Sequence, residues 1–138
     1  MNWQEHYRSR QITVEEAAAM VKPGMRIHFP LAGGAEVQRA LVARAEKIGG
    51  AVDVRISSPI VDPGWFAQDM SSIFRIEFEL FIGNLGRPAH DRHAAAYLPN
   101  LFSTGFKAND ERPEEAKPID ITFVNTSPPN SKGFVSFG

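Results

Sequence analysis

Between Thr13 and Ser58 the spacing of apolar residues changes three times, and each change predicts an element. Thr13-Val14-Glu15-Glu16 is a capping box: the Thr13 oxygen accepts from the Glu16 amide and Glu16 reaches back. Ala17, Ala18, Ala19 and Met20 continue that helix, and Pro23-Gly24 ends it. Met25, Ile27 and Phe29 then alternate with Arg26 and His28, which predicts a strand over Met25 to Pro30. After Gly33-Gly34 the period lengthens again. Val37, Leu41, Val42, Ala45 and Ile48 make one helical stripe, closed by Gly49-Gly50. Val52 to Ser58 returns to strand spacing.

A helix of this length between two strands indicates a βαβ unit, with the right-handed crossover that such units adopt. Downstream the pattern predicts a helix over Pro63 to Ile73 and a third strand over Arg75 to Ile82. Pro88 to Ala96 reads as helical or irregular, Pro99 to Pro118 as mostly polar surface loop, and Ile119 to Asn125 as the last strand. Ile121 to Val124 is apolar enough for a central strand buried on both faces. The sum is one α/β domain: an open, mainly parallel sheet with helices on both faces.

Composition narrows the function classes. A chain of 138 residues with 43% hydrophobic and 22% charged residues suits a single globular domain. A net charge of −1 gives no reason to expect nucleic acid or an anionic membrane as partner. Without cysteine there is no disulfide and no thiolate chemistry. No run approaches the ~18 apolar residues of a membrane span, and the polar start lacks a signal core, so the expected location is the cytoplasm.

In open parallel sheets, ligands sit beyond the carboxyl ends of the strands. Three predicted strand ends carry suitable chemistry: Gly33 and Gly34 after the first, Ser58 and Pro59 after the second, and Asn125, Ser127 and Asn130 after the last. If the strands are parallel, Gly33 and Ser127 share one rim. Gly33-Gly34 lets backbone amides approach a ligand, or simply makes a tight turn. Pro128 and Pro129 stiffen the chain where it leaves the sheet; either preceding bond is open to cis or trans. His90-Asp91-Arg92-His93 has metal-like spacing but lacks a third ligand, so no metal is assigned. His28 reads as a packed or exposed strand histidine, and Trp3, Tyr7, Trp65 and Phe66 as packing groups. A nucleotide-binding reading fails for want of G-x-G-x-x-G.

The stretches "KPGMRIHFPLAGGAEVQRAL", "IGNLGRPA", "YLPNLF" and above all "DITFVNTSPPNSKGFVSFG" resemble the acetyl-CoA hydrolase/transferase family, which includes acetate, butyrate and 4-hydroxybutyrate CoA-transferases. Asp120, Ser127, Pro128, Gly133, Ser136 and Gly138 match its strand-end signature; Asn130 stands where Asp is usual and Thr122 where a small residue is usual. The resemblance implies a class I CoA-transferase-like domain spanning 1–138, with coenzyme A as a substrate and no covalent cofactor. It implies that the catalytic glutamate and the glycine-rich CoA-contacting segment lie in a C-terminal domain or subunit absent from this chain, which therefore reads as truncated. No catalytic residue is assigned here. Gly33, Gly34, Ser58, Pro59, Asn125, Ser127 and Asn130 become candidates for contact with acyl-CoA and a small carboxylate, and Arg87 for an anion. The apolar tail with Phe134, Val135 and Phe137 predicts association with a partner domain or a second copy, hence a homo-oligomer. The alternative is a stand-alone small-molecule-binding or regulatory domain without catalysis.

Overall fold

A computed structural model describes residues 2–31, 33–105 and 117–137. Five strands, all parallel, form one sheet in the order β4-β3-β2-β1-β5. They are β1 (Arg26–Phe29), β2 (Val52–Ile56), β3 (Phe74–Phe78), β4 (Ala95–Tyr97) and β5 (Ile121–Thr122). The helices are α1 (Trp3–Ser9), α2 (Val14–Ala19), α3 (Ala35–Ala43), α4 (Ala45–Ile48) and α5 (Gly83–Asp91). The capping box forms as predicted, with Glu16 N–H donating to Thr13 Oγ1 at 3.1 Å and Thr13 N–H to Glu16 Oε2 at 2.8 Å.

Topology explains the layering. From β1 to β4 each crossover steps the same way, so right-handed connections fall on one face. That face carries Ile27, Phe29, Val54, Ile56, Phe74, Ile76 and Phe78, packed with Ala18, Leu41, Ala45, Ile48, Trp65 and Ala89 into a single core. Phe29 is at its centre, edge-on to Trp65 (5.6 Å) and stacked on Phe123 (5.3 Å). To reach β5 the chain must step back past β1. On the way a 3-10 turn forms at Phe102–Thr104, and a side chain on Gly105 would come within 3.8 Å of Glu79 Oε1, on the other face of the sheet.

Several predicted boundaries move. Pro63 to Ile73 is not an α-helix: Asp62 Oδ1 accepts from the Gly64 amide (2.8 Å), Trp65 and Phe66 turn into the core, and only Gln68–Ser72 coils as a 3-10 helix. The third strand stops at Phe78, short of Ile82, because Phe81 N–H turns to Ser57 O (3.0 Å) and α5 begins at Gly83. Pro88 lies inside α5, which ends at Asp91, and the Pro88 to Ala96 stretch finishes in β4. The last strand pairs only over Ile121–Thr122 and is an edge strand beside β1, not a central one; Ile121 and Phe123 are half-buried and Val124 is exposed. Of the polar stretch in the Pro99 to Pro118 loop, residues 106–116 lie outside the described residues. Every peptide bond among the described residues is trans, including those before Pro128 and Pro129.

Candidate functional site at the carboxyl rim

β1 lies between β2 and β5, and the crossover that leaves β1 turns toward β2, so the β1–β5 edge is the place to look for a crevice at the carboxyl ends of the strands. The expected juxtaposition is present. Gly34 N–H donates to Asn125 Oδ1 at 3.2 Å, so the turn after β1 and the exit from β5 are joined on one rim. A side chain on Gly33 would meet Phe123 O at 2.8 Å, and one on Gly34, whose φ is +65°, would meet the Phe29 ring at 2.8 Å. The two glycines thus let the β1–α3 turn close on β5. The Gly33 amide is itself engaged with Pro30 O (3.1 Å).

Above this junction lies a cleft of about 440 Å³. Pro30, Leu31, Leu80, Phe102, Val124 and Phe137 supply apolar walls; Ser57 and Asn125 are its polar lining residues. Ser58 and Pro59 do not line it: Ser58 is half-buried, and Pro59 is buried beside Gly83. Ser57, one residue earlier, faces the cleft because strand parity puts it on the same side as Arg55 and Asp53. The alternation of Val52, Val54 and Ile56 in the sequence carries that parity.

Beneath Ser57 a polar network covers the second face of the sheet. His28 Nε2 is 3.1 Å from Ser57 Oγ, and Ser57 Oγ–H reaches Glu79 Oε2 at 3.4 Å. Glu79 also faces Arg55 (3.6 Å), Arg55 faces Glu77 (3.6 Å), and Glu77 pairs closely with Arg26. Along the same face Asp53 pairs with Arg75 (2.7 Å) and with Lys117, while Asp120 accepts from the Arg26 amide (2.7 Å). Arg26 and Glu79 are 7% and 9% exposed, so these charges are held by one another more than by water. Burial lowers the pKa of His28 below its ordinary value; Glu79 opposes that shift and Arg55 adds to it. Ser57 and Glu79 both approach the same ring nitrogen, which is not the base-between arrangement of a nucleophile triad.

Ser127 and Asn130 are committed to their own loop. Ser127 N–H donates to Ser136 O (2.8 Å) and Ser127 Oγ accepts from Ser136 N–H (3.0 Å). Asn130 Oδ1 accepts from the amides of Lys132 (2.9 Å) and Phe134 (3.1 Å). The Ser127–Ser136 hairpin is stapled from inside and rests on α1, with Gly133 against the Trp3 ring. A second depression, of about 290 Å³, lies where α1 meets Pro129. Arg87 is exposed on α5, away from the lining of the cleft. No group of three or more His, Asp or Glu side chains able to hold a metal occurs among the described residues. No helix among them is long and apolar enough to cross a membrane.

Open parallel α/β domains are the class whose ligands sit in a crevice beyond the carboxyl ends of the strands. Within that class the chain is a member of the acetyl-CoA hydrolase/transferase family, whose N-terminal-domain model matches residues 1–138. It is similar to 4-hydroxybutyrate coenzyme A transferase of Clostridium kluyveri, at 28% identity over 141 aligned positions. The match takes in 100% of this chain and 32% of that relative, so the chain spans about a third of the relative's length.

Proposed function

We propose that this domain forms one wall of the acyl site of a CoA-transferase or acyl-CoA hydrolase, and that the nucleophile stands outside these residues. The observation that carries the reading is the apolar cleft at the β1–β5 switch point of a domain of this family. Its volume suits a short acyl chain. The carboxylates nearest it are already spent: Glu79 lies against Ser57 and Arg55, and Glu77 pairs with Arg26 and Arg55.

The chemistry is then covalent catalysis by a glutamate supplied by a C-terminal domain or subunit. Its carboxylate adds to the acyl-CoA carbonyl, the C–S bond breaks, and CoA leaves as thiolate. The resulting acyl-glutamyl anhydride is attacked at the glutamyl carbonyl by that thiolate, which gives a glutamyl-CoA thioester and frees the first carboxylic acid. An incoming carboxylate reverses the sequence and carries CoA away; water in its place gives hydrolysis. This domain contributes the acyl walls, with Gly33, Gly34 and Asn125 fixing the rim and Ser127 and Asn130 holding the hairpin beside it. Ser58, Pro59 and Arg87 stand outside the cleft lining. Exposed Phe134 and Phe137, 68% and 76% accessible, are the surface expected to meet the C-terminal part or a second copy. The full activity, in the cytoplasm and within a homo-oligomer, is part of the same proposal.

A second reading, a binding or regulatory domain without catalysis, is favoured by the pairing of Glu77 and Glu79, the carboxylates nearest the cleft. Acetyl-CoA plus butyrate exchange, run on the purified chain beside calorimetry with butyryl-CoA, tests both. Binding without turnover is expected. Turnover by the chain alone contradicts an external nucleophile. Absence of binding at millimolar ligand removes the acyl-site reading.

A further inference from the structure

The hairpin that leaves the cleft is bonded within itself. Ser127 and Ser136 share two hydrogen bonds across its base, Asn130 N–H donates to Phe134 O (2.9 Å), and Gly133 N–H donates to Asn130 O (3.0 Å). Asn130 Oδ1 holds the Lys132 and Phe134 amides from inside. Pro128 and Pro129 restrict the backbone of the first arm. A loop tied in this way moves as one body about its two ends. Both ends are walls of the cleft: Asn125 and Phe137 line it, and Asn125 Oδ1 accepts from the Gly34 amide across the rim (3.2 Å).

The far end of the hairpin rests on α1. Gly133, with φ +84°, lies so near the Trp3 ring that a side-chain carbon there would stand 3.0 Å from it. None of the residues of α1 is buried, and beyond Trp3 a depression of about 290 Å³ opens between Tyr7, Arg8 and Pro129. The Trp3 ring is therefore the seat of the hairpin tip. Trp3 does not line the cleft, so any effect it has there passes through the hairpin.

We propose that Trp3 is a positioning residue for the cleft: its ring sets where the hairpin tip rests, and the stapled hairpin carries that placement to Asn125 and Phe137 at the rim. Only the ligand used below rests on the acyl-site reading. Coupling between two such places changes affinity by about fivefold or more.

Amide hydrogen exchange and butyryl-CoA calorimetry, run on the chain and on Trp3→Ala and Trp3→Phe, test this. The Phe134 amide, held by Asn130 Oδ1, reports the inside of the hairpin; the Gly34 amide, held by Asn125 Oδ1, reports the rim. Rates are read relative to the Val54 amide in the core of β2, which cancels any general loss of stability. In Trp3→Ala the Gly34 amide should exchange about fivefold faster while the Phe134 amide, next to the lost contact, keeps its rate. Butyryl-CoA should bind about fivefold more weakly. Trp3→Phe keeps a ring on Gly133 and should restore both. If the two amides accelerate alike, Trp3 only stabilises the hairpin and the proposal is overturned. An unchanged Gly34 amide overturns it as well, whatever happens to affinity. If the unaltered chain does not bind butyryl-CoA, the acyl-site reading falls, and the two exchange rates still decide the role of Trp3.

Discussion

The two faces of the sheet come from alternate residues of the same three strands and are stabilised in opposite ways. On one, Ile27, Phe29, Val54, Ile56 and Phe78 are at most 2% exposed and pack against helices. On the other, Arg26, His28, Arg55, Glu77 and Glu79 face one another. Dispersion and burial on the first face are cumulative and indifferent to pH. The second face depends on pairing: each charge is tolerable only while its partner is present. The apolar face holds the strands parallel, and the polar face fixes Ser57 at the cleft.

The largest effect should come from the apolar face. Phe29→Ala removes the ring that touches Trp65, Phe123 and the Gly34 turn, and should cost about 3–5 kcal/mol in urea unfolding. On the polar face, Glu77→Ala leaves Arg26 and Arg55 without their shared carboxylate. Because Glu77 is 29% exposed the cost should be smaller, about 1–3 kcal/mol. The double variant Arg26→Met/Glu77→Leu should recover most of that loss, since Arg26 Nε already lacks a partner among the described residues. Recovery of this kind has no counterpart on the apolar face, and a simple sum of the two single losses would erase the distinction.

A third effect depends on pH. The His28 pKa is depressed in the folded state, chiefly by burial, so the unfolded chain binds the proton more readily. Stability is therefore full above the ordinary histidine value of about 6.5 and falls as pH drops through the folded value. His28→Gln should flatten unfolding midpoints over that acidic window; an unchanged slope would show that another group carries it. The smallest effect belongs to the hairpin. Asn130→Ala removes an exposed acceptor of two amides and should cost about 0.5–1.5 kcal/mol, seen as faster exchange of the Phe134 amide.

Much of this was legible in the sequence. The capping box, the βαβ start, the parallel sheet and the shared rim of Gly33 and Ser127 follow from periodicity and crossover geometry. The edge strand β4 was hidden because Ala95, Ala96 and Tyr97 are few and lack β-branching. Helix α5 was obscured by Pro88, which most often ends a helix rather than sitting within one. The last strand looks central because Ile121 to Val124 is rich in apolar residues, although pairing stops at Thr122. The polar face was hardest to foresee. Arg26, His28, Arg55, Glu77 and Glu79 alternate as solvent-facing residues do, and only the pairing of neighbouring strands brings them together as a network of ion pairs.

The central claim is that ligand enters between the carboxyl ends of β1, β2 and β5. Amide hydrogen exchange of the chain with and without butyryl-CoA tests it most directly. Protection should concentrate at Leu31, Ser57, Phe81 and Asn125, which line or adjoin the cleft. Protection confined instead to Trp3, Tyr7 and Arg8 of α1, around the second depression, would contradict the account.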